Sequence, residues 1–483
     1  MLRLRPGRVI CRRCENPSCP QREHAPARSA EPHPAYALEQ RDFPLGGRNW
    51  QRNPLRLCEE PARLFRIDGR MSIREQAERA KRASRRLNRL ERAAKDRALS
   101  RIASRLRDDM TAIGAANARD VEKARASGLD AALIDRLGMG PKVVEVTARA
   151  VDEIVLLPDP VGSRREMRRL PNGLLVGRER LPLGVIGFIY ESRPNVTIDA
   201  AALCLKTGNA VLLRGGKEAA ETNLVLGELL RTELDKSGLP ADAVQIVPPG
   251  DREEIRQLIG LSDLVDLVIP RGGEGLIRFV ADNARVPVIK HYKGVCHLFV
   301  DQGAELEVAR ALTLNGKQRF SVCNALECLL VHEAEAARLL PPIASALFEQ
   351  GVELRGCPRT VELVPQARPA VDTDWGTEFL AKILAVRVVA DLDAALEHIE
   401  RYGSNHTEAI CTTHYAHAER FLREVDASCV LVNASTRFND GGELGLGAEV
   451  GISTSKIHAY GPMGLESLTT EKWVVLGSGQ VRS

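Results

Sequence analysis

Three turns in this chain combine residue types that could carry chemistry. The apolar run Ala210 to Leu213 ends in Arg214-Gly215-Gly216-Lys217, directly before a helical pattern. A tight turn with two cations at a helix N-terminus suits a phosphate. The glycines do not follow G-x-G-x-x-G, so their spacing fits a plain strand-to-helix turn with surface cations equally well. A second turn, Pro270-Arg271-Gly272-Gly273-Glu274-Gly275, follows the run Leu264 to Ile269 and offers close backbone approach to a pyrophosphate. The third holds Cys323, in the polar stretch Asn315 to Asn324. Lys317, Gln318 and Arg319 could stabilise a thiolate there, yet Cys323 is also one of seven cysteines scattered singly over residues 204–429, where a small buried apolar role is common. Spacing leaves both readings open.

A fourth constellation lies near the start: Cys11, Cys14, Cys19 and His24 have the compact spacing of a zinc knuckle. Arg12, Arg13 and Arg22 would make it basic, but no aromatic residue interleaves with these cations, so nucleic acid is not the expected partner. No metal is assigned elsewhere, and zinc at these four residues is the lesser reading.

The elements that must position these residues follow from periodicity. Residues 1–70 hold nine prolines and no sustained period, and read as a disordered Arg/Pro-rich extension. From Ser72 to about Ala118, Ala, Leu and Ile recur at helical spacing amid charges, which predicts one or two long amphipathic helices. Arg164 to Glu191 alternates around Pro171-Asn172-Gly173, a hairpin turn. Strands are then expected at Val185–Tyr190, Ala210–Leu213, Val244–Val247, Leu264–Ile269 and Val286–Ile289, with helices between them. Strand alternating with helix means a parallel, doubly wound α/β sheet. A second α/β series is expected from Val295 to Asn433, and Asn439 to Gly464 reads as irregular.

Composition excludes several function classes. The chain has 483 residues, 44% hydrophobic and 27% charged, an ordinary globular balance. Its formal charge of +4 lies wholly in residues 1–70, which hold 14 Arg, no Lys and 8 acidic residues, so the body shows no polycationic surface for nucleic acid or membrane. The longest apolar run, around Leu181 to Tyr190, is broken by Pro182, Gly184 and Gly187 and is too short to span a bilayer. The arginine-rich start lacks an apolar signal segment, so a soluble cytoplasmic protein with reduced thiols and a small-molecule partner is expected.

Five stretches carry a specific resemblance: LPLGVIGFIYESRPNVTIDAAALCLKTGNAVLLRGGKEA from Leu181, LVIPRGGEGLI from Leu267, SVCNALE from Ser321, YGSNHTEAI from Tyr402, and VLVNASTRFNDGGELGLGAEVGISTSKIHAYGPMGLESLTT from Val430. From Met71 to the C-terminus the chain resembles the gamma-glutamyl phosphate reductase family of the aldehyde dehydrogenase superfamily. The resemblance implies NADPH-dependent reduction of L-glutamyl 5-phosphate to L-glutamate 5-semialdehyde through a cysteine thioester, in proline biosynthesis. Cys323 would be the nucleophile, with oxyanion donors among its own N–H and the side chains of Asn195 and Asn324.

Arg214 matches a superfamily lysine near the adenosine ribose, and with Lys217 it would suit the 2′-phosphate of NADP. Gly215, Gly216, Gly272 and Gly273 would border the cofactor, and Glu378 resembles the glutamate that grips the nicotinamide ribose. Arg193 and Arg437 fit the substrate's carboxylate or phosphate. Ordinary aldehyde dehydrogenases carry Glu-Leu-Gly-Gly where this chain has His291-Tyr292-Lys293-Gly294, so the hydrolytic carboxylate is replaced by His291, which suits reduction over hydrolysis.

The resemblance further implies an NADP-binding domain over residues 71–290 with a hairpin insertion at 161–182, a catalytic domain over 291–470, and a tail, 471–483, that joins the hairpin in an oligomerisation flap. A homo-oligomer follows, since an unpaired hairpin edge invites pairing with a neighbouring subunit. The alternatives are NAD(P)-dependent aldehyde oxidation, or a zinc- or nucleic-acid-binding regulatory role for the extension.

Overall fold

The structure is a computed structural model and describes residues 71–482 apart from residue 251. Cys11, Cys14, Cys19 and His24 lie outside the described residues. Ser72 opens α1 (Ile73–Leu87) with a reciprocal cap: its hydroxyl accepts from the Glu75 N–H, and the Glu75 carboxylate accepts from the Ser72 N–H. Ile73, Ala77, Ala80 and Leu87 then fall on one buried face. The periodic stretch read as one or two helices is three. The chain leaves helical geometry at residues 88–91 and again at Asp109, giving α2 (Arg92–Asp108) and α3 (Met110–Ala126). Two further helices follow, α4 (Ala131–Leu137) and α5 (Pro141–Leu156), the latter started by a proline at its first position, where no intrahelical N–H is required.

β1 (Arg164–Arg169) and β2 (Leu175–Pro182) form the hairpin; Gly173 takes φ +86°, open to glycine, at its turn. The next strands, β3 (Val185–Tyr190), β4 (Ala210–Arg214), β5 (Val244–Ile246) and β6 (Leu267–Arg271), make a parallel sheet in the order β5-β4-β3-β6. Their connections carry α6 (Asn195–Lys206), α7 (Ala220–Lys236) and α8 (Arg252–Gly260), and α9 (Glu274–Asn283) follows β6. Val286–Ile289 is not a strand of this sheet: only Val288 bridges to Val268, because Pro287 in mid-run has no N–H to extend the ladder.

The second α/β series alternates β7 (Cys296–Val300), α10 (Leu306–Gln318), β8 (Leu326–His332), α11 (Glu333–Glu349), β9 (Glu353–Gly356), α12 (Pro358–Leu363), β10 (Arg368–Pro369), β11 (Ile383–Val389), α13 (Leu392–Tyr402), β12 (Thr407–Cys411), α14 (Tyr415–Glu424) and β13 (Cys429–Val432). Its seven parallel strands run β10-β9-β11-β8-β7-β12-β13. The period-two alternation of side chains divides its core. Leu298, Val300, Leu329 and Val331 pack with α11 on one face, while Phe299, Cys328 and Leu330 pack with Ile399 of α13 and Phe421 of α14 on the other. The segment read as irregular holds a small antiparallel pair, β14 (Gly451–Ser453) and β15 (Gly461–Met463). Finally β16 (Thr469–Leu476) pairs with β2 along its whole length, making the hairpin a three-stranded sheet.

Candidate active site

Cys323 lies in the loop between α10 and β8, and that loop is clamped at its base. Lys317 Nζ reaches Glu327 Oε2 at 2.5 Å in a buried pair, and Glu327 Oε1 accepts from the Leu380 N–H at 3.2 Å. The residue after the cysteine is laced to the segment following β13. Asn324 Nδ2 donates to the carbonyls of Arg437 (3.3 Å) and Asn439 (3.0 Å), and Thr436 Oγ1 donates to the Asn324 carbonyl at 2.8 Å. Cys296 Sγ donates to the Cys323 carbonyl at 3.2 Å. Gly294 backs onto the same peptide, so closely that a Cβ there would stand 2.0 Å from the Cys323 carbonyl oxygen.

The thiol itself is half-buried. Burial pushes its pKa up to about 11; Arg271 opposes this, and the carboxylates of Glu449 and Glu378 reinforce it. A thiolate here is therefore costly until a cation or a bound ligand improves its surroundings. Glu378 accepts from the Gly294 N–H and has its own pKa raised by burial, which sets this predicted residue at the back of the cysteine loop. Glu449, which accepts from the Gly441 N–H at 2.9 Å, and Arg271 are site neighbours that sequence reasoning did not single out.

Asn195 begins α6, and its Nδ2 donates to Asp199 Oδ2 at 2.9 Å, one helical turn on. That bond fixes the amide and leaves its second N–H free to donate. Burial raises Asp199 to about 6, with Asn195 and Arg271 opposing. The Asn324 amide, by contrast, spends its donors on two backbone carbonyls, and its Oδ1 is buried without a partner among the described residues. His291 is a neutral imidazole: burial lowers it to about 4, with Arg271 adding to the fall, and it bonds to the Ile452 backbone. Its ring stands edge-on to His406 at 5.8 Å.

Arg193 and Arg437 both lie within electrostatic reach of the Cys323 sulfur, and Arg319 lies within reach of both. Arg193 also feels Arg271 and Arg136. Burial, then these like charges, holds Arg193 and Arg437 below the usual arginine range. Guanidiniums gathered at one thiol, with no ion pair to a carboxylate at Arg193, Arg271, Arg319 or Arg437 among the described residues, can receive an anion.

The first glycine turn fits the dinucleotide that the resemblance implies. Arg214 is buried, with Nη2 donating to the Gly250 carbonyl at 2.8 Å and Nε lacking a partner among the described residues, while Lys217 is exposed. A Cβ at Gly215 would stand 2.2 Å from Asn223 Nδ2, and one at Gly216 would stand 2.0 Å from Glu218 Oε1, so a side chain at either position requires its neighbour to shift. At the second turn a carboxylate already holds the anion position: Glu191 Oε2 accepts from the Gly273 N–H at 2.9 Å, and would lie 2.3 Å from a Cβ at Gly272.

One further group has the donor set of a metal centre: His297, Cys328 and His398, all buried, with their ligand atoms within 4.8 Å of one another. Hydrogen bonding assigns them differently. Arg387 Nη1 can only donate, so His398 Nδ1 accepts from it at 3.0 Å, and the ring proton sits on Nε2, facing Cys328 Sγ at 3.6 Å. On the other side His297 Nδ1 and its backbone N–H both donate to Glu408 Oε2, at 2.9 and 3.0 Å. His297 is thus bonded to Glu408, and Cys328 to His398 and through it to Arg387, while His297 Nε2, beside Cys328, is buried without a hydrogen-bond partner among the described residues.

The aldehyde dehydrogenase family model matches residues 60–353. A gamma-glutamyl phosphate reductase from Sorangium cellulosum is 63% identical over 422 residues, which is 86% of this chain and 99% of that protein. One from Desulfatibacillum aliphaticivorans is 56% identical over 390 residues, 80% of this chain and 93% of that protein. The crystal structure of gamma-glutamyl phosphate reductase from Thermotoga maritima superposes with a TM-score of 0.84 at 44% identity, covering 86% of this chain and all of that one. By this family match and these identities along nearly the full length of the relatives, the chain belongs to the aldehyde dehydrogenase family, among its gamma-glutamyl phosphate reductases.

Proposed function

We propose that the protein reduces L-glutamyl 5-phosphate to L-glutamate 5-semialdehyde, releasing phosphate, in proline biosynthesis. The observation that carries this reading is 63% identity along nearly the full length of a gamma-glutamyl phosphate reductase, and the anion receptor around Cys323 supports it. Cys323 attacks the acyl carbon, the bond to the phosphate oxygen breaks, and a thioester forms. The Asn195 N–H left free by Asp199, with the Cys323 N–H, donates to the oxygen that gains charge. Arg271 and Arg193 favour the thiolate before attack and neutralise the departing phosphate after it. Arg214, Lys217 and Glu378 would hold NADPH, whose chemistry when bound is hydride donation to the thioester carbon; the bond from that carbon to the Cys323 sulfur then breaks, and the thiolate is regenerated as the aldehyde leaves. Burial holds His291 to a pKa of about 4, so its ring is a weak base for water where the superfamily's carboxylate is missing, which favours keeping the thioester for reduction.

We further assign cofactor binding to residues 71–290 and the nucleophile's half to residues 291–470. A homo-oligomer is assembled through the three-stranded sheet, whose β16 exposes Trp473, Val475 and Leu476. The test of function runs the reaction backwards: NADP reduction by glutamate 5-semialdehyde, in equilibrium with its cyclic pyrroline form, must require inorganic phosphate. Turnover that is indifferent to phosphate would mean hydrolytic aldehyde oxidation instead.

A further inference from the structure

Beside the nucleophile lies a pocket of about 680 Å³ that carries both signs of charge. Asn315, Gln318, Arg319, Arg437, Phe438, Asp440 and Glu443 line it. Its wall touches the reactive loop: Arg437 and Asn439 accept from the side chain of Asn324, the residue after Cys323. Arg319 and Arg437 repel one another across it, and neither guanidinium is paired with a carboxylate in any ion pair among the described residues. Asp440 is half-buried and acts on Arg437 electrostatically. One of its oxygens, Oδ1, accepts from the Gly442 N–H at 2.9 Å, which holds the carboxylate in place in the pocket wall.

The acyl phosphate assigned under Proposed function is charged at both ends. Its phosphate must leave from the carbon that Cys323 attacks, while its far end is an α-amino acid, with a carboxylate and an ammonium on one carbon. Those two groups need a cation and an anion side by side. Arg193 and Arg271, at the ends of the β3–α6 and β6–α9 connections, face the thiol from the first sheet's side and suit the phosphate. Arg319, Arg437 and Asp440, on the loops of the second sheet, supply the opposite pair of charges. We infer that this pocket reads the α-amino acid end of the substrate: Arg437 and Arg319 bind its carboxylate, and Asp440 binds its free ammonium. The site then rejects substrates whose amine is absent or acylated, because the buried side of Asp440 loses its partner. This inference rests on the function proposed above.

The test compares two aldehydes, with phosphate and NADP present: glutamate 5-semialdehyde, and glutarate semialdehyde, which keeps the carboxylate and lacks the amine. In Asp440→Asn the side-chain oxygen can still accept from Gly442, so the loop is retained. The expected result is a rise in KM of about 10- to 100-fold for glutamate 5-semialdehyde with little change for glutarate semialdehyde, matching loss of one charged hydrogen bond. Arg437→Ala should raise KM for both. Equal effects of Asp440→Asn on the two aldehydes, or no effect on either, would overturn the assignment. A wild-type enzyme inactive on both aldehydes would instead sink the function on which it rests, so the two failures are distinct. A matching thermal midpoint for Asp440→Asn and wild type excludes a folding defect as the cause.

Discussion

Gly294 and the Cys323 peptide are packed so tightly that no side chain fits between them: a Cβ at 294 would come within 2.0 Å of the Cys323 carbonyl oxygen and 2.9 Å of its carbon. Both partners are backbone, so relief requires the nucleophile's loop to move. Gly294→Ala should cost about 1–3 kcal/mol of stability through overpacking. It should also lower kcat on the order of a hundredfold, since a displacement of about 1 Å in a reacting group has that effect. Thermal melts and steady-state rates check both. Normal turnover in this variant would show that the loop is free to shift.

Asp199 should trade stability for activity. Its folded pKa, about 6, lies above its ordinary value, so the stability it contributes is fully present below pH 4 and is lost as pH rises through 6. Asp199→Asn removes that loss. The variant's melting midpoint should exceed wild type at pH 8 and converge with it near pH 4. Its kcat should nonetheless fall about tenfold, because a neutral amide oxygen holds the Asn195 N–H less firmly than the carboxylate does and so orients the oxyanion donor less well. A midpoint unchanged at pH 8 would contradict the buried charge.

The thiol at about 11 gives a direct pH signature. Inactivation of the ligand-free enzyme by iodoacetamide should accelerate about tenfold per pH unit from 7 to 9, because only the thiolate reacts. A plateau over that range would show that the thiolate forms near neutrality. Cys323→Ala should abolish turnover while NADPH still quenches protein fluorescence with an unchanged Kd. Cys328→Ala, which removes the partner of His398 Nε2 in the buried group that ends at Arg387, should lower the melting midpoint and keep most activity.

Cofactor choice should depend on Lys217 more than on Arg214. Arg214 is 8% exposed and already bonded to Gly250, whereas Lys217 is exposed. Lys217→Ala should therefore raise KM for NADPH by about tenfold and leave KM for NADH unchanged, as expected for one lost charge-assisted contact to a phosphate. Arg214→Ala should in addition lower the melting midpoint. If only Arg214→Ala narrows the NADPH/NADH ratio of kcat/KM, the 2′-phosphate belongs on the buried cation.

The sequence made the hairpin legible because Pro171-Asn172-Gly173 is a local signal, and it made the sheet class legible because period two and period 3.6 alternate along the chain. The first glycine turn was read from its local composition, whereas Cys323 stood out from the other cysteines only through the resemblance. Asp199, Glu449 and Arg271 were not singled out. Their importance comes from neighbours on other elements: Glu449 reaches Cys323 from a segment over a hundred residues away, and Arg271 does so from the end of β6. The false strand at Val286–Ile289 has the same origin. Its apolar run satisfies a local pattern, but Pro287 interrupts the ladder that only a neighbouring strand reveals.

The pairing of β2 with β16 has a consequence for how the protein is made. The two strands are joined by register from Pro182↔Thr469 to Leu175↔Leu476. At elongation rates of roughly 5–20 residues per second, the ~300 residues between them take on the order of 15–60 s to synthesise. Through that interval one edge of the nascent hairpin has no strand to bond. Its side chains answer the problem, for Arg164, Arg165, Arg168 and Arg169 crowd β1, and Arg178 and Arg180 stand on β2. Like-charged hairpins on neighbouring ribosomes repel one another, so the arginines guard an edge that stays open until β16 has been made.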